Sequence, residues 1–252
     1  MGSHGGPPAS PSGFRHAGGG FTVTGTGDIA PLTAAGLATI GQFLTGAFVA
    51  LIAMVVVGVV FVTAEYRRGL IRITLAASPR RGLVLAAKAI VAGGISFVAG
   101  LAATAVVVPF TRQVAHAKGA YVLPASPLTE VRVIAGTAAL LAVAAVLAVA
   151  VGTLLRRSAA AVSIGIVVIV LPYVLGTAGL LPVGAERWLL RFTPAAAFAI
   201  QQSAPAYPPV TAAYTPTAGY FPLAPWPGFA VLCAYAAVAL ALAAVALRRR
   251  DA

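Results

Sequence analysis

Glu65, Arg67, Arg68, Arg72, Arg80, Arg81 and Lys88 all fall within Ala64–Lys88, which reads AEYRRGLIRITLAASPRRGLVLAAK. Six cations against one acid in so short a stretch point to charged recognition rather than bond-making: guanidinium and carboxylate groups make charge-assisted hydrogen bonds to a complementary surface. Roughly twenty uncharged residues precede this stretch and twenty more follow it. That arrangement predicts a cytoplasmic loop joining two membrane spans.

Residue types suited to catalysis are nearly absent. The only histidines are His4, His16 and His116, and none lies in an apolar run. An intramembrane serine protease needs a serine motif with a histidine inside the bilayer. No Gly-x-x-x-x-Gly-Lys-Ser/Thr phosphate loop occurs, and Gly25–Gly27 lacks the lysine, the strand before it and the helix after it. The single cysteine, Cys233, sits in an apolar run and is read as packing; one cysteine forms no disulfide and no cysteine metal site within a chain. The reading is a non-enzyme that binds no cofactor or metal of its own.

The elements that must position the charged loop follow from composition. Hydrophobic residues make up 60% of the chain and charged residues 9%, against about 25% charged in a soluble domain. The mean hydropathy is +0.97. The net charge of +12 raises the question of nucleic acid, but the cations flank apolar runs and form no basic face on a polar domain, which argues against it. Five stretches are long enough to cross a hydrocarbon layer about 30 Å thick: Phe43–Val62, Ala89–Val108, Val133–Leu155, Ala159–Gly176 and Gly228–Leu247, none with a charge. The expected fold is an all-α polytopic membrane protein, with residues 31–252 as the membrane domain.

Eleven of the seventeen basic residues occupy the connections Arg67–Lys88, Arg156–Arg157 and Arg248–Arg250. The bias of lysine and arginine towards the cytoplasm assigns those segments, and the C-terminus, to that side of a cell membrane. Pro109–Arg132 and Leu180–Pro227 are then exported. The second of these carries Trp188, Phe192, Phe198, Tyr207 and Trp226, a mix suited to the membrane surface, and Ala185–Ser203 is expected to form short helices dipping back towards the bilayer. The Gly/Pro-rich start, Met1–Gly20, has too little apolar surface to order itself, so residues 1–30 are read as a disordered segment and loop.

At helical period, Tyr66–Ala77 puts Leu70, Ile71, Thr74 and Leu75 on one side and Arg67, Arg68 and Arg72 on another, an amphipathic helix. Ser78 and Pro79 end it, and Gly82 lets the chain turn before the next span. A basic loop of this kind also serves simply to fix topology or to bind lipid headgroups.

The string EYRRGLIRITLAASPRRGLVLAAKAIVA, Glu65–Ala92, resembles the first cytoplasmic loop of bacterial type 2 ATP-binding-cassette (ABC) exporter permeases, where Glu-Tyr-Arg-x-Gly-x-Ile-Arg-x-Thr-Leu precedes a basic turn and a Lys-Ala pair. Arg187–Phe229, followed by a last span ending in ALRRRDA, is similar to the same family. The resemblance covers nearly all of Pro31–Ala252. It implies a second permease protomer and a separate ATPase subunit that holds ATP and Mg²⁺. It also implies a coupling helix formed here by Glu65, Tyr66, Arg67, Arg68, Leu70, Ile71, Arg72, Leu75, Arg80 and Arg81. Permeases of that family have six spans; this chain shows five, and Phe43–Val62, which enters the matching loop, corresponds to the second.

Two further sets complete the reading. Ala92, Ser96, Gly100 and Thr104 recur every four residues, a stripe of small side chains suited to close helix packing within the chain or between subunits. With no charge in the membrane, a translocation path would be apolar with scattered polar groups such as Gln42, Thr45, Ser163 and Tyr173, matching a hydrophobic or amphipathic cargo. The competing readings are a non-transporting membrane scaffold and an ion-coupled secondary carrier, although the paired repeats, interrupted helices and buried charge of such carriers are not evident.

Overall fold

Chains this apolar satisfy their backbone polar groups internally, because hydrocarbon offers no partners, and the result here is a set of long helices. The computed structural model describes residues 13–17, 20–24, 37–38, 40–44, 46–67, 81–117, 121–122, 125–155, 157–178, 180–203 and 221–250. The helices are α1 (Gly46–Arg67), α2 (Arg81–Ala117), α3 (Pro127–Leu155), α4 (Ser158–Thr177), α5 (Val183–Phe192) and α6 (Pro225–Arg250), with 3₁₀ segments η1 (Ile40–Leu44) and η2 (Pro194–Gln201). Among the described residues, all the α-helices but α5 are long and apolar enough to cross a membrane, five in total. The architecture is that of a multi-pass helical membrane protein.

Helix boundaries depart from the sequence expectation where local signals outweigh charge. The second span was expected over Ala89–Val108, yet α2 starts at Arg81 and runs through Pro109 to Ala117. Gly82 therefore lies in its first turn and not at a chain reversal, because Leu83–Ala87 is a run of helix formers continuous with the span. Beyond Pro109, the Thr111 hydroxyl donates to the carbonyls of Val107 and Val108 at 2.6 and 3.2 Å. In α3 the start is Pro127 and not Val133. Ser126 caps this end: its Oγ accepts from the Thr129 amide at 3.2 Å, Pro127 takes the first helical position, and Glu130 faces the positive end of the helix dipole in the first turn.

The N-terminal stretch also differs. Strands β1 (Gly13–Ala17) and β2 (Gly20–Thr24) pair antiparallel with Ala17 opposite Gly20, where the composition predicts disorder up to Gly20. Phe21, Thr22 and Val23 are good strand formers. Residues 1–12 lie outside the described residues. A second, two-residue parallel pairing joins β3 (Leu37–Ala38) to β4 (Tyr121–Val122).

Helix α3 is the hub: 61% of its most apolar window is buried, against 17–39% for the other four spanning helices. Helix α2 lies antiparallel along it at glycine approaches. A β-carbon at Gly100 would lie 3.1 Å from the Ala138 Cα, and one at Gly93 would lie 2.9 Å from Val146. On another side a β-carbon at Gly58 would meet the Ala145 carbonyl oxygen at 2.9 Å, bringing α1 onto α3. Three apolar clusters mark the levels of the bundle. Val62, Leu85, Val149, Ala243 and Leu247 meet at the end bearing Arg67, Arg81 and Arg248–Arg250. Ile40, Leu44, Ala47, Val108 and Val133 meet at the opposite end. Leu51, Val55, Leu140, Ala144, Ile169 and Phe198 belong to the cluster between.

At that opposite end Arg112 of α2 pairs with Glu130 of α3 at 3.4 Å, with side chains 39% and 30% exposed. Solvent reaches this pair, so Glu130→Gln is expected to change unfolding stability in detergent by less than about 1 kcal/mol. A larger loss in thermal denaturation would show that the pair carries structural load.

Candidate functional site

The charged connection is framed by the two helices that enter and leave it. Glu65, Tyr66 and Arg67 are the last residues of α1, and Arg81 is the first of α2. Arg68, Leu70, Ile71, Arg72, Leu75 and Arg80 lie outside the described residues. What the structure gives is the footing of the connection. Val62, one turn before Glu65, and Leu85, one turn after Arg81, are both buried in the cluster with Val149 of α3 and with Ala243 and Leu247 of α6. Both ends of the connection thus stand on one packed cluster shared with α3 and α6.

Two of the residues named for a polar path, Ser163 and Tyr173, have described side chains, and they lie on different faces of α4. Gln42 belongs to η1, Thr45 lies outside the described residues, and Ser163 is on the exposed face of α4. Tyr173, on the same helix, turns inward. Its ring lies 5.1 Å from Phe48 and 4.0 Å from Phe198, joining α1, α4 and η2 in one aromatic group. The small-residue stripe of α2 faces α3 of the same chain: Ser96, Gly100 and Thr104 are buried and Ala92 is half-buried. The Thr104 hydroxyl donates to its own helix at Gly100 O (2.8 Å) and reaches Ile134 O of α3 at 3.3 Å. An open groove of about 540 Å³ between α2, α3 and α6 is lined by apolar residues, among them Ile90, Gly93, Phe97, Val143 and Leu240, and includes neither Ser163 nor Tyr173.

The most elaborate site is one the sequence suggested only in outline. After α4 the chain forms α5 and then η2, and every residue of η2 from Pro194 to Gln201 is buried. Three glycines from distant parts of the chain clasp it. A β-carbon at Gly41 would lie 2.5 Å from the Gln201 carbonyl oxygen, one at Gly136 would overlap the Ile200 side chain, and one at Gly228 would overlap the Ala196 carbonyl oxygen. Polar contacts then pin the end of η2. Gln201 Nε2 donates to Thr137 Oγ1 at 3.3 Å, and Thr137 in turn donates to Val133 O at 2.7 Å. Arg132 Nη2 donates to the Gln202 carbonyl, the Phe221 amide donates to Gln202 Oε1 at 3.2 Å, and the Gly41 amide donates to Ser203 Oγ at 3.0 Å. These contacts give partners to the Gln202 carbonyl and to the Phe221 and Gly41 amides at the end of η2. Among the described residues, Arg132 Nε and Glu186 Oε1 are buried without a partner.

No known family, curated protein or solved structure matches this chain. Its chemistry is therefore read from the site alone. The described residues contain no group of three or more His, Cys, Asp or Glu able to hold a metal ion. The η2 network joins an arginine, two glutamines, a threonine and a serine to backbone groups; it holds a buried turn in place and offers no nucleophile paired with a base. In the sequence its polar members are the Gln201-Gln202-Ser203 run and Arg132, which falls in the first turns of a span.

Proposed function

We propose that this chain is the membrane-spanning permease subunit of an ABC exporter in a bacterial cell membrane, with its C-terminus in the cytoplasm. It works with a second permease protomer and with a separate ATPase that holds ATP and Mg²⁺. The ATPase docks on the 65–81 connection, and nucleotide-driven movement is passed to α1 and α2 and from them to α3 and α6. The cargo is hydrophobic or amphipathic, in keeping with a bundle whose buried middle layer is apolar.

The observation that carries this reading is the 65–81 connection: its Glu-Tyr-Arg-Arg-Gly-Leu-Ile-Arg-Ile-Thr-Leu string resembles a coupling loop, and both of its ends rise from helices anchored in one buried cluster. The test is co-purification with a candidate ATPase encoded beside this gene, comparing the wild type with Glu65→Ala and with Arg67→Ala/Arg68→Ala. Loss of charged contacts across a docking surface is expected to weaken association about tenfold, or about 1.4 kcal/mol, and to lower ATP-driven export in step. Undiminished association and export in both variants would remove the coupling role and leave the scaffold reading in its place.

A further inference from the structure

Helix α5 presents three faces. Glu186 and Leu190 are buried against the bundle. Trp188 and Phe192 lie outward, 65% and 58% exposed, with their rings stacked 4.9 Å apart. Arg187 and Arg191, also four residues apart and also exposed, flank the aromatic pair, about 100° round the helix from it. Among the described residues neither guanidinium takes part in a hydrogen bond or ion pair.

Two contacts fix the depth of this helix. Leu190 packs on Gly176, where a β-carbon would lie 2.8 Å from the Leu190 Cγ. Gly176 is 18 residues beyond Ser158, the first residue of α4, or about 27 Å along that helix at 1.5 Å per residue. The Tyr235 hydroxyl donates to the Phe192 carbonyl at 2.8 Å. Tyr235 is 13 residues before Arg248 in α6, about 20 Å along the axis. Measured from the basic ends of α4 and α6 across a hydrocarbon layer about 30 Å thick, the last turn of α5 lies about 3–10 Å inside the far boundary. Amphipathic helices resting in the interface sit at a similar depth, about 5–10 Å into the headgroup and acyl boundary.

An arginine exposed at that depth, with no protein partner, extends towards the headgroups. A guanidinium there matches a phosphate diester in charge and in its paired donors. We propose that α5 is a binding site for the headgroup of an anionic phospholipid in the leaflet opposite the basic ends, with Arg187 and Arg191 holding the phosphate and Trp188 and Phe192 seated at the hydrocarbon edge. The net charge of the headgroup matters because two cations stand together with no exposed acid on α5 to balance them: Glu186 is turned inward.

The full chain, carrying Trp226→Phe so that Trp188 is the only tryptophan, is reconstituted without any ATPase in phosphatidylcholine vesicles containing a minor fraction of chain-brominated phosphatidylglycerol or brominated phosphatidylcholine. At about 1 kcal/mol, or about fivefold, for each arginine near the surface, phosphatidylglycerol is expected to be enriched beside Trp188 tenfold or more over its bulk fraction. Arg187→Gln/Arg191→Gln is expected to abolish the enrichment while brominated phosphatidylcholine still quenches Trp188, which shows that the helix remains in place. If the glutamine pair fails to insert, Arg187→Lys/Arg191→Lys carries the test and is expected to keep part of the preference. Equal quenching by the two lipids in the wild type, quenching by neither, or a preference unchanged in the glutamine pair would overturn the proposal.

Discussion

Gly228→Ala is expected to destabilise the protein by about 1–3 kcal/mol, the range for forcing an extra carbon into a packed interior, although alanine is ordinarily the better helix residue. Gly228 lies in the first turn of α6, where α6 crosses η2. Its new methyl would overlap the Ala196 carbonyl oxygen and stand 2.8 Å from the Ala199 β-carbon. Neither neighbour is the far end of a flexible side chain, so either α6 or the whole of η2 must shift. Gly136→Ala is expected to cost less, because there the methyl meets the Ile200 side chain, which has rotamers to adjust. Gly184→Ala is the control: a β-carbon at that position meets nothing within 4 Å, and its stability is expected to match or slightly exceed the wild type. Thermal unfolding in detergent, followed by helical circular dichroism, ranks the three. If Gly228→Ala were as stable as Gly184→Ala, η2 would not be held by close approach to α6.

The two clasp variants should also be less than additive when combined. Both act by displacing the same 3₁₀ segment, and once it has moved for one methyl the second finds room. Two independent losses that summed in the double variant would mean that α3 and α6 each pack on η2 without coupling.

The parts of this molecule legible in its sequence are those set by composition along the chain. Five uncharged runs correspond to five helices long and apolar enough to span a membrane, and the pattern of Ala185–Ser203 indicates short helices in the segment that holds most of α5 and η2. Boundaries are less legible, because charged residues mark the ends of apolar runs while capping and helix-forming residues carry the backbone further. Thus α3 begins at Ser126-Pro127, ahead of Glu130 and Arg132, and α2 continues past Pro109. The clasp around η2 was not legible at all. Gly41, Gly136 and Gly228 are more than ninety residues apart in sequence, and nothing local separates them from glycines such as Gly46 or Gly184 that face open space. Only the fold brings them to one place. The charged connection is the reverse case, a segment whose residue types speak plainly while most of it lies outside the described residues.

Arg132→Ala is the second large effect, with an expected loss of about 1.5–3 kcal/mol, the range for a hydrogen bond to a charged group. The reason lies in how η2 ends. The last carbonyls of a helical segment have no partner within it and carry the negative end of its dipole, and Gln202 is the residue that closes η2. Inside a hydrocarbon layer water would not supply the missing donor. Arg132, reaching from the second turn of α3, does so through Nη2, so its truncation takes the charged donor from a half-buried carbonyl. Arg132→Lys is expected to recover part of the loss, since an ammonium on a shorter chain keeps the charge but not the guanidinium's reach. Gln201→Ala provides the scale for a neutral contact. Its partner Thr137 still donates to Val133, so no group is stranded and the expected loss is about 0.5–1.5 kcal/mol. Equal losses for Arg132→Ala and Gln201→Ala would show that water reaches the Gln202 carbonyl. In that case η2 would sit outside the hydrocarbon layer, and the depth assigned to α5 from Tyr235 would have to move outward with it.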